Sequence, residues 1–378
     1  IVKVLKFSGG NLKRLFIYVW VLAFILTMFL NGDPTIIMVS ALVLLISKIL
    51  DLNPVPYLLG TVFVINSAST SSIMASFVNI LVSNHYSLDP SRWLSYPTFI
   101  VLGLPFSVLC TGIALFFIFR RYKEAFQIPK EKMKYFETRA ELMSFNEKLL
   151  IKNPKIFWRL GILLAATVAG FIIAGFVGMP FYVVSLCFAF AFLFVSGEDP
   201  ERTLREVDWS LIFFFIGIFI IVGGLDSTKI LESMGNSLGN LTPANIPATA
   251  SLVTLFSGGL SGVLDNISVT TALLYVTPSL SASALINQNL VIWALIYGAN
   301  VGESLTPIGS VPSLVAITSL EKAKFPLSWR EFMRLGVPIA LTSLFVGIIL
   351  LIGISNLLGW RVDLTSQILR IWSLVTKT

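Results

Sequence analysis

Charge is the scarcest commodity in this sequence. Asp, Glu, Lys and Arg together make up 12% of its 378 residues, where an ordinary soluble domain carries roughly a quarter. With 56% of the chain hydrophobic, no polar shell can be built around a soluble core. Cysteine is nearly absent: Cys110 and Cys187 both fall inside apolar stretches, which leaves neither a disulfide framework nor a thiolate metal site. Histidine occurs once, as His85 in a polar stretch, and one imidazole cannot build a zinc site. The net charge of +7 would suit nucleic acid if it were spread over a soluble face. Instead the Lys and Arg residues cluster in a few loops, so the expected partner is a lipid bilayer and not nucleic acid.

What the sequence has in quantity is apolar runs nearly free of charge, at 15–30, 36–50, 57–83, 97–119, 157–177, 181–195, 211–225, 249–264, 269–277, 289–319 and 337–358. The basic start (Lys3, Lys6, Lys13, Arg14) ahead of an apolar run imitates a secretory signal. The same layout recurs later in the chain, so it reads as one member of a repeat.

Two halves share landmarks. An apolar run ends at Leu30 and breaks at Asn31-Gly32-Asp33-Pro34-Thr35; another ends at Leu264 and breaks at Asp265-Asn266-Ile267-Ser268-Val269-Thr270. Asn31 to Asn66 is 35 residues, as is Asp265 to Asn300, and Asn66 to Pro105 is 39 against 38 from Asn300 to Pro338. Runs of about 10–16 residues beside Asn31 and Asp265 fall short of the ~20 that span hydrocarbon, so each pair predicts a re-entrant hairpin. The longer runs around Asn66 and Asn300 are interrupted by polar residues and predict broken helices.

The expected fold is therefore an all-α polytopic membrane protein of two inverted-topology repeats, each with a re-entrant hairpin and a broken transmembrane helix. The first repeat covers 1–119, with hairpin 15–50, broken helix 57–83 and helix 97–119. A linker follows at 120–155. The second repeat covers 156–360, with scaffold helices 156–225, hairpin 249–278, broken helix 289–319 and helix 337–358, and a tail occupies 361–378. Placing the N-terminus and linker in the cytoplasm puts 21 Lys and Arg inside and 5 outside, the asymmetry expected of a plasma-membrane protein in that orientation.

Polar residues at membrane depth are costly, about 2.5–3.5 kcal/mol for Asp, and persist where they serve a pathway or a partner. Four clusters qualify: Asn31, Asp33 and Thr35; Asn66, Ser67, Ser69, Thr70, Ser71 and Ser72; Asp265, Asn266, Ser268, Thr270 and Thr271; and Asn300, Glu303, Ser304, Thr306 and Ser310. Freed backbone carbonyls with Asn, Ser and Thr oxygens suit Na⁺, expected near Asn66, Ser67, Asp265, Asn300 and Thr306, while exposed helix N-termini suit an anion. The bland reading is that the hydroxyls cap short helices or let helices pack. Asp33, just ahead of Pro34, could itself be such a cap. No Arg or Lys is placed to neutralise Asp33, Asp265 or Glu303, so their expected partner is a bound cation or a proton. If each hairpin tip meets its own broken helix, Asp265, Asn266, Asn300 and Thr306 form one half-site, and Asn31, Asn66, Ser67 and Thr70 the other.

The stretches Leu264–Thr271 and Tyr297–Ser310 resemble the hallmark motifs of the ion transporter superfamily, in its arsenical pump and sodium/proton antiporter branch with a citrate-transporter-like domain. Val207-Asp208-Trp209-Ser210 ahead of 211–225, and Leu52-Asn53-Pro54-Val55-Pro56, fit the same branch. The resemblance covers essentially the whole chain. It implies a scaffold and a transport domain, a homodimer and an elevator-like movement, and it leads one to expect two or three further helices upstream of Ile1. The chain departs from the pattern at Asn31-Gly32-Asp33-Pro34, where the family has an Asp-Asn pair, and at Glu303, where a small or neutral residue is usual.

The expected function is ion-coupled secondary transport of a small solute, with Na⁺ or H⁺ as the coupling ion and no other cofactor. Antiport or efflux of an inorganic ion such as Na⁺ or arsenite comes first, and symport of a citrate-like carboxylate or another anion second. A channel and an intramembrane aspartyl protease built on Asp33 and Asp265 are the remaining alternatives. The protease fails because both residues sit at hairpin tips and not on two spanning helices.

Overall fold

A computed structural model of the chain describes residues 11–86, 94–127 and 154–360, apart from 178, 198, 206 and 208. The N-terminal basic stretch before Asn11, Arg92, most of the linker and the tail from 361 lie outside the described residues. Every described regular element is helical.

Helix α1 (Leu12–Leu30) begins where the Asn11 side chain accepts from the Arg14 N–H. It stops at Asn31, whose backbone at φ 75° and ψ 163° lies in a region that only glycine adopts without strain. Helix α2 (Gly32–Ile49) starts at the next residue with the Asn31 side chain accepting from the Gly32 N–H, so one residue turns the hairpin. Helix α3 (Val55–Ala68) ends at a polar break, a 3₁₀ turn occupies Ile73–Ala75, and α4 (Phe77–His85) resumes with Ser76 accepting from the Val78 N–H. Helix α5 (Tyr96–Arg121) closes the half. Its first turns are π-helical over Phe99–Gly103, which accommodates Pro105 and the backbone bond it cannot make.

The second half starts with α6 (Pro154–Val177), α7 (Phe181–Ser196), α8 (Pro200–Arg205) and α9 (Trp209–Ser227). They leave large apolar side chains facing outward, Phe194 being 82% exposed and Ile220 69%, as suits helices solvated by lipid. Helix α10 (Ile230–Asn240) turns back from α9 at 71°. It lay unnoticed in the sequence because its apolar residues are sparse. Its Gly235 and Gly239 sit against the backbone of the helix that follows the second hairpin tip, the close small-residue contact by which membrane helices associate.

Then the first-half sequence of elements returns: hairpin α11 (Ile246–Ser261) and α12 (Asn266–Ala284), broken helix α13 (Gln288–Gly302) and α14 (Val311–Lys322) with a 3₁₀ turn at Pro307–Gly309, and closing helix α15 (Trp329–Leu357). The correspondence holds residue by residue. The capping residues Asn11 and Asn245, Asn31 and Asp265, and Ser76 and Ser310 each stand 234 apart, as do the first residues of the two 3₁₀ turns, Ile73 and Pro307. Helices α2 and α12 end in left-handed residues, Asp51 and Leu285, at the same separation.

The two units are interleaved. Helix α2 packs on its own α3 and on α14 of the other half, α12 packs on α13 and on α4, and the closing helices α5 and α15 pack on each other. Helices α3 and α13 lie at the centre, with every residue of α3 buried.

The hairpin arms are longer than the apolar runs suggest. They measure 19 and 18 residues in the first hairpin and 16 and 19 in the second, so α1 at about 28 Å approaches the hydrocarbon thickness. Arm length therefore does not make these hairpins re-entrant. What distinguishes them is that residues of both tips, Asn31 and Asp33 in one and Asp265 and Asn266 in the other, line a shared cavity. Among the described residues α1, α5, α6 and α15 are long and apolar enough to cross a membrane, and α9 with α10 makes a fifth such span if the bent pair is one.

Candidate substrate and ion site

Both hairpin tips and both helix breaks open onto one cavity of about 260 Å³. The tips bring Asn31, Gly32 and Asp33 from one side and Asp265, Asn266 and Ile267 from the other, while the breaks bring Ser69, Ser76, Glu303 and Ser310. Phe77 and Phe214 supply an apolar wall, and α9 reaches α4 there through Phe215, whose ring lies 6.0 Å from that of Phe77.

Each break is fastened to its own hairpin by one hydroxyl. Ser72 Oγ donates to the Met28 carbonyl and Thr306 Oγ1 to the Gly262 carbonyl, both at 2.5 Å, and these residues again stand 234 apart. A closing-helix glycine seats each break. A Cβ on Gly103 would lie 2.0 Å from the Thr70 carbonyl oxygen, and one on Gly336 2.2 Å from that of Ser304.

The breaks are also bonded to each other, which separate half-sites did not anticipate. Asn66 Nδ2 donates to Ser304 Oγ at 3.2 Å and to Ser310 Oγ at 3.3 Å. Asn300 Nδ2 donates to Asn79 Oδ1 and to the Ile296 carbonyl, each at 2.9 Å, and Asn300 Oδ1 is buried without a partner. Ser69 Oγ lies 3.1 Å from Glu303 Oε1, and Asn266 Nδ2 donates to Glu303 Oε2 at 2.9 Å. Ser69 and Glu303 are themselves equivalent positions, 234 apart.

Of the residues singled out in the sequence, Asn31, Asp33, Ser69, Asp265, Asn266, Glu303 and Ser310 line the cavity. Several hydroxyls take the bland role: Thr35, Ser67 and Thr270 donate to carbonyls four residues back, and Ser268 donates to the Asp265 carboxylate. Thr70 pairs with Ser107 on α5. Of Asn66, Ser67, Asp265, Asn300 and Thr306, read together as a Na⁺ site, Asp265 lines the cavity, while the other four make hydrogen bonds within and between the breaks and hairpins. Asp33 is not the cap of α2, since Asn31 is. Asp265 does cap α12, its carboxylate accepting from the Ser268 N–H at 2.9 Å.

Asn79 escaped the sequence reading. Its Nδ2 donates at 2.7 Å to the carbonyls of Ser69, at the break, and Ser72, which also accepts from the Ala75 N–H, while its Oδ1 accepts from Asn300. Asn79 is fully buried, which the local sequence does not disclose.

Asp33, Asp265 and Glu303 come from three different chain turns, and among the described residues none of them forms an ion pair and no Lys, Arg or His lines the cavity. The described residues hold no group of three His, Cys, Asp or Glu suited to a transition metal.

Comparison with known proteins agrees with this architecture. Over 348 residues the chain is 25% identical to an uncharacterized transporter of Mycobacterium tuberculosis, covering 92% of this chain and 78% of that one. It is 24% identical over 338 residues to a 46 kDa membrane protein of Mycobacterium leprae, covering 89% and 76%. Against the arsenical pump membrane protein of Escherichia coli it is 22% identical over 350 residues, covering 90% and 77%. Residues 1–298 match the citrate transporter family. With apolar helices solvated by lipid and helices broken around a central cavity, the chain is a multi-pass membrane transporter and belongs to the citrate transporter family.

Proposed function

We propose that the protein is an ion-coupled secondary carrier that exchanges H⁺ or Na⁺ against an inorganic cation or a neutral metalloid hydroxide such as arsenite. The observation that carries this reading is the meeting of Asp33, Asp265 and Glu303 on one cavity without a cationic side chain. Uncompensated carboxylates at membrane depth call for a mobile positive charge. The two interleaved units would be inverted relative to each other across a plasma membrane, with the N-terminus cytoplasmic and the protein working as a homodimer.

A second reading, symport of a citrate-like carboxylate or another small anion, rests on the four helix N-termini, of α2, α4, α12 and α14, that face the same cavity. Each contributes roughly half a positive charge. Those N-termini already hold capping side chains in Asn31, Ser76, Asp265 and Ser310, and this lowers their pull on a polyanion.

Purified protein in liposomes, loaded in turn with Na⁺, arsenite and citrate under imposed H⁺ or Na⁺ gradients, tests both readings. Saturable counterflow of Na⁺ or arsenite driven by an ion gradient is expected. Gradient-driven citrate uptake alone would replace the first reading with the second, and unsaturable flux would mark a channel.

A further inference from the structure

Glu303 stands at the end of α13, 5% exposed, with its two carboxyl oxygens contacted by two different elements. Asn266 Nδ2, at the start of α12, donates to Oε2. On the other side Ser69, at the end of α3, lies within reach of two acceptors at once: Glu303 Oε1 at 3.1 Å and the Ile65 carbonyl at 3.2 Å. A serine hydroxyl has one hydrogen and can serve one of these acceptors fully at a time.

That single hydrogen separates two complete arrangements. When Glu303 is ionised, Ser69 donates to Oε1 and Asn266 to Oε2, so both carboxylate oxygens are satisfied. When Oε1 carries a proton, that O–H donates to Ser69 Oγ, Ser69 turns to the Ile65 carbonyl, and Asn266 still donates to Oε2. Neither arrangement strands a buried donor or acceptor, whereas a buried group left unmade costs about 1–3 kcal/mol. A carboxyl built only for structure needs one of these states. One that loads and unloads a proton needs both.

The charged groups facing Glu303 are Asp33 on α2 and Asp265 at the start of α12. The other elements around it, α3 and the 3₁₀ turn with α14, present the hydroxyls of Ser69 and Ser310 and apolar side chains. Since Glu303 lines the cavity, a proton reaches it from there without crossing packed side chains. Ser69 and Glu303 occupy equivalent places in the two units, so the exchange of partner sits where one broken helix touches the other.

We propose that Glu303 is the group that binds and releases the coupling proton, and that Ser69 is the positioning hydroxyl that changes partner as it does so. This rests on the carrier reading above and names H⁺ as the coupling ion. The step moves one proton between cavity water and a carboxylate and involves no redox change.

Infrared difference spectroscopy of the purified protein across a pH series reads the carboxylic C=O stretch without transport. Wild type should show a titrating carboxylic band that is absent in Glu303→Gln, an isostere whose amide can still donate to Ser69. In Ser69→Ala both forms lose their bond to the hydroxyl, but the one lost by the ionised form is charge-assisted and the stronger, so the midpoint of that band should move up by about one pH unit. Ser69→Thr should restore the wild-type midpoint. An unchanged carboxylic band in Glu303→Gln would overturn the assignment, and a wild-type midpoint in Ser69→Ala would do the same without requiring the Gln variant to fold. If the band behaves as expected but no solute crosses the bilayer, the carrier reading fails while the proton site stands.

Discussion

Asn79 reaches three groups of the break at once: the Ser69 carbonyl that the interrupted helix leaves behind, the Ser72 carbonyl and the Asn300 amide, 221 positions away. Truncation to Ala would leave the Ser69 carbonyl buried and unpaired, at a cost of about 1–3 kcal/mol, and would take one bond each from the Ser72 carbonyl, which keeps the Ala75 N–H, and the Asn300 amide, which keeps the Ile296 carbonyl. Asn79→Ala is therefore expected to lower the heat-unfolding midpoint in detergent markedly, by the equivalent of about 2 kcal/mol or more. A midpoint equal to wild type would show that water serves these carbonyls equally well. Residues that announced themselves did so through charge or amide at membrane depth, as with Asp33, Asp265, Glu303 and Asn66. Asn79 was silent because its partners are backbone atoms and one distant side chain, and neither leaves a mark on local composition. Conversely Thr35, Ser67 and Thr270 looked like ligands but find their acceptors one helical turn back, which composition cannot distinguish from a free hydroxyl.

Helix α5 carries a contrast between two glycines. Gly103 is pressed onto the Thr70 carbonyl, while a Cβ on Gly112 would meet nothing within 4 Å. Gly103→Ala should destabilise the protein by about 1–3 kcal/mol through overpacking, as should Gly336→Ala in α15. Gly112→Ala should be neutral or gain up to about 1 kcal/mol from helix propensity. Unfolding midpoints of the three variants side by side decide this, and similar values for Gly103→Ala and Gly112→Ala would remove the glycine from its seating role. At this scale the order of hairpin, broken helix and closing helix was legible, because Asn, Asp and Pro interrupt apolar runs at matching intervals. Boundaries were less so. Counting apolar residues trims a helix at its first polar turn, whereas caps such as Asn11 and Asn245 extend α1 and α11 beyond the apolar run. Helix α10 was missed altogether, since its contact with α12 is made by two glycines that carry no hydropathy signal.

The spacing of landmarks disclosed that the molecule contains two related units, but not that they interlock. That α2 rests on α14 and α12 on α4 depends on contacts between residues far apart in the chain, to which periodicity is blind. If the units are inverted, Asp51→Cys at the end of α2 and Ala282→Cys near the end of α12 should react with impermeant thiol reagent from opposite sides of sealed vesicles. Reaction from the same side would mean that the units run in the same sense. The shortness of the central helices bears on how the protein is made. Helix α3, with 14 residues, and α13, with 15, are about 21 and 22 Å long, well short of the ~30 Å hydrocarbon core. Neither can lodge in lipid unaided. Helix α3 leaves the ribosome long before α14, part of its final surroundings, has been synthesised, and Asn66 must wait for Ser304 and Ser310. The first half is therefore expected to need shelter during insertion until the second arrives, and a chain truncated before α14 is expected to be degraded rather than to work as a smaller transporter.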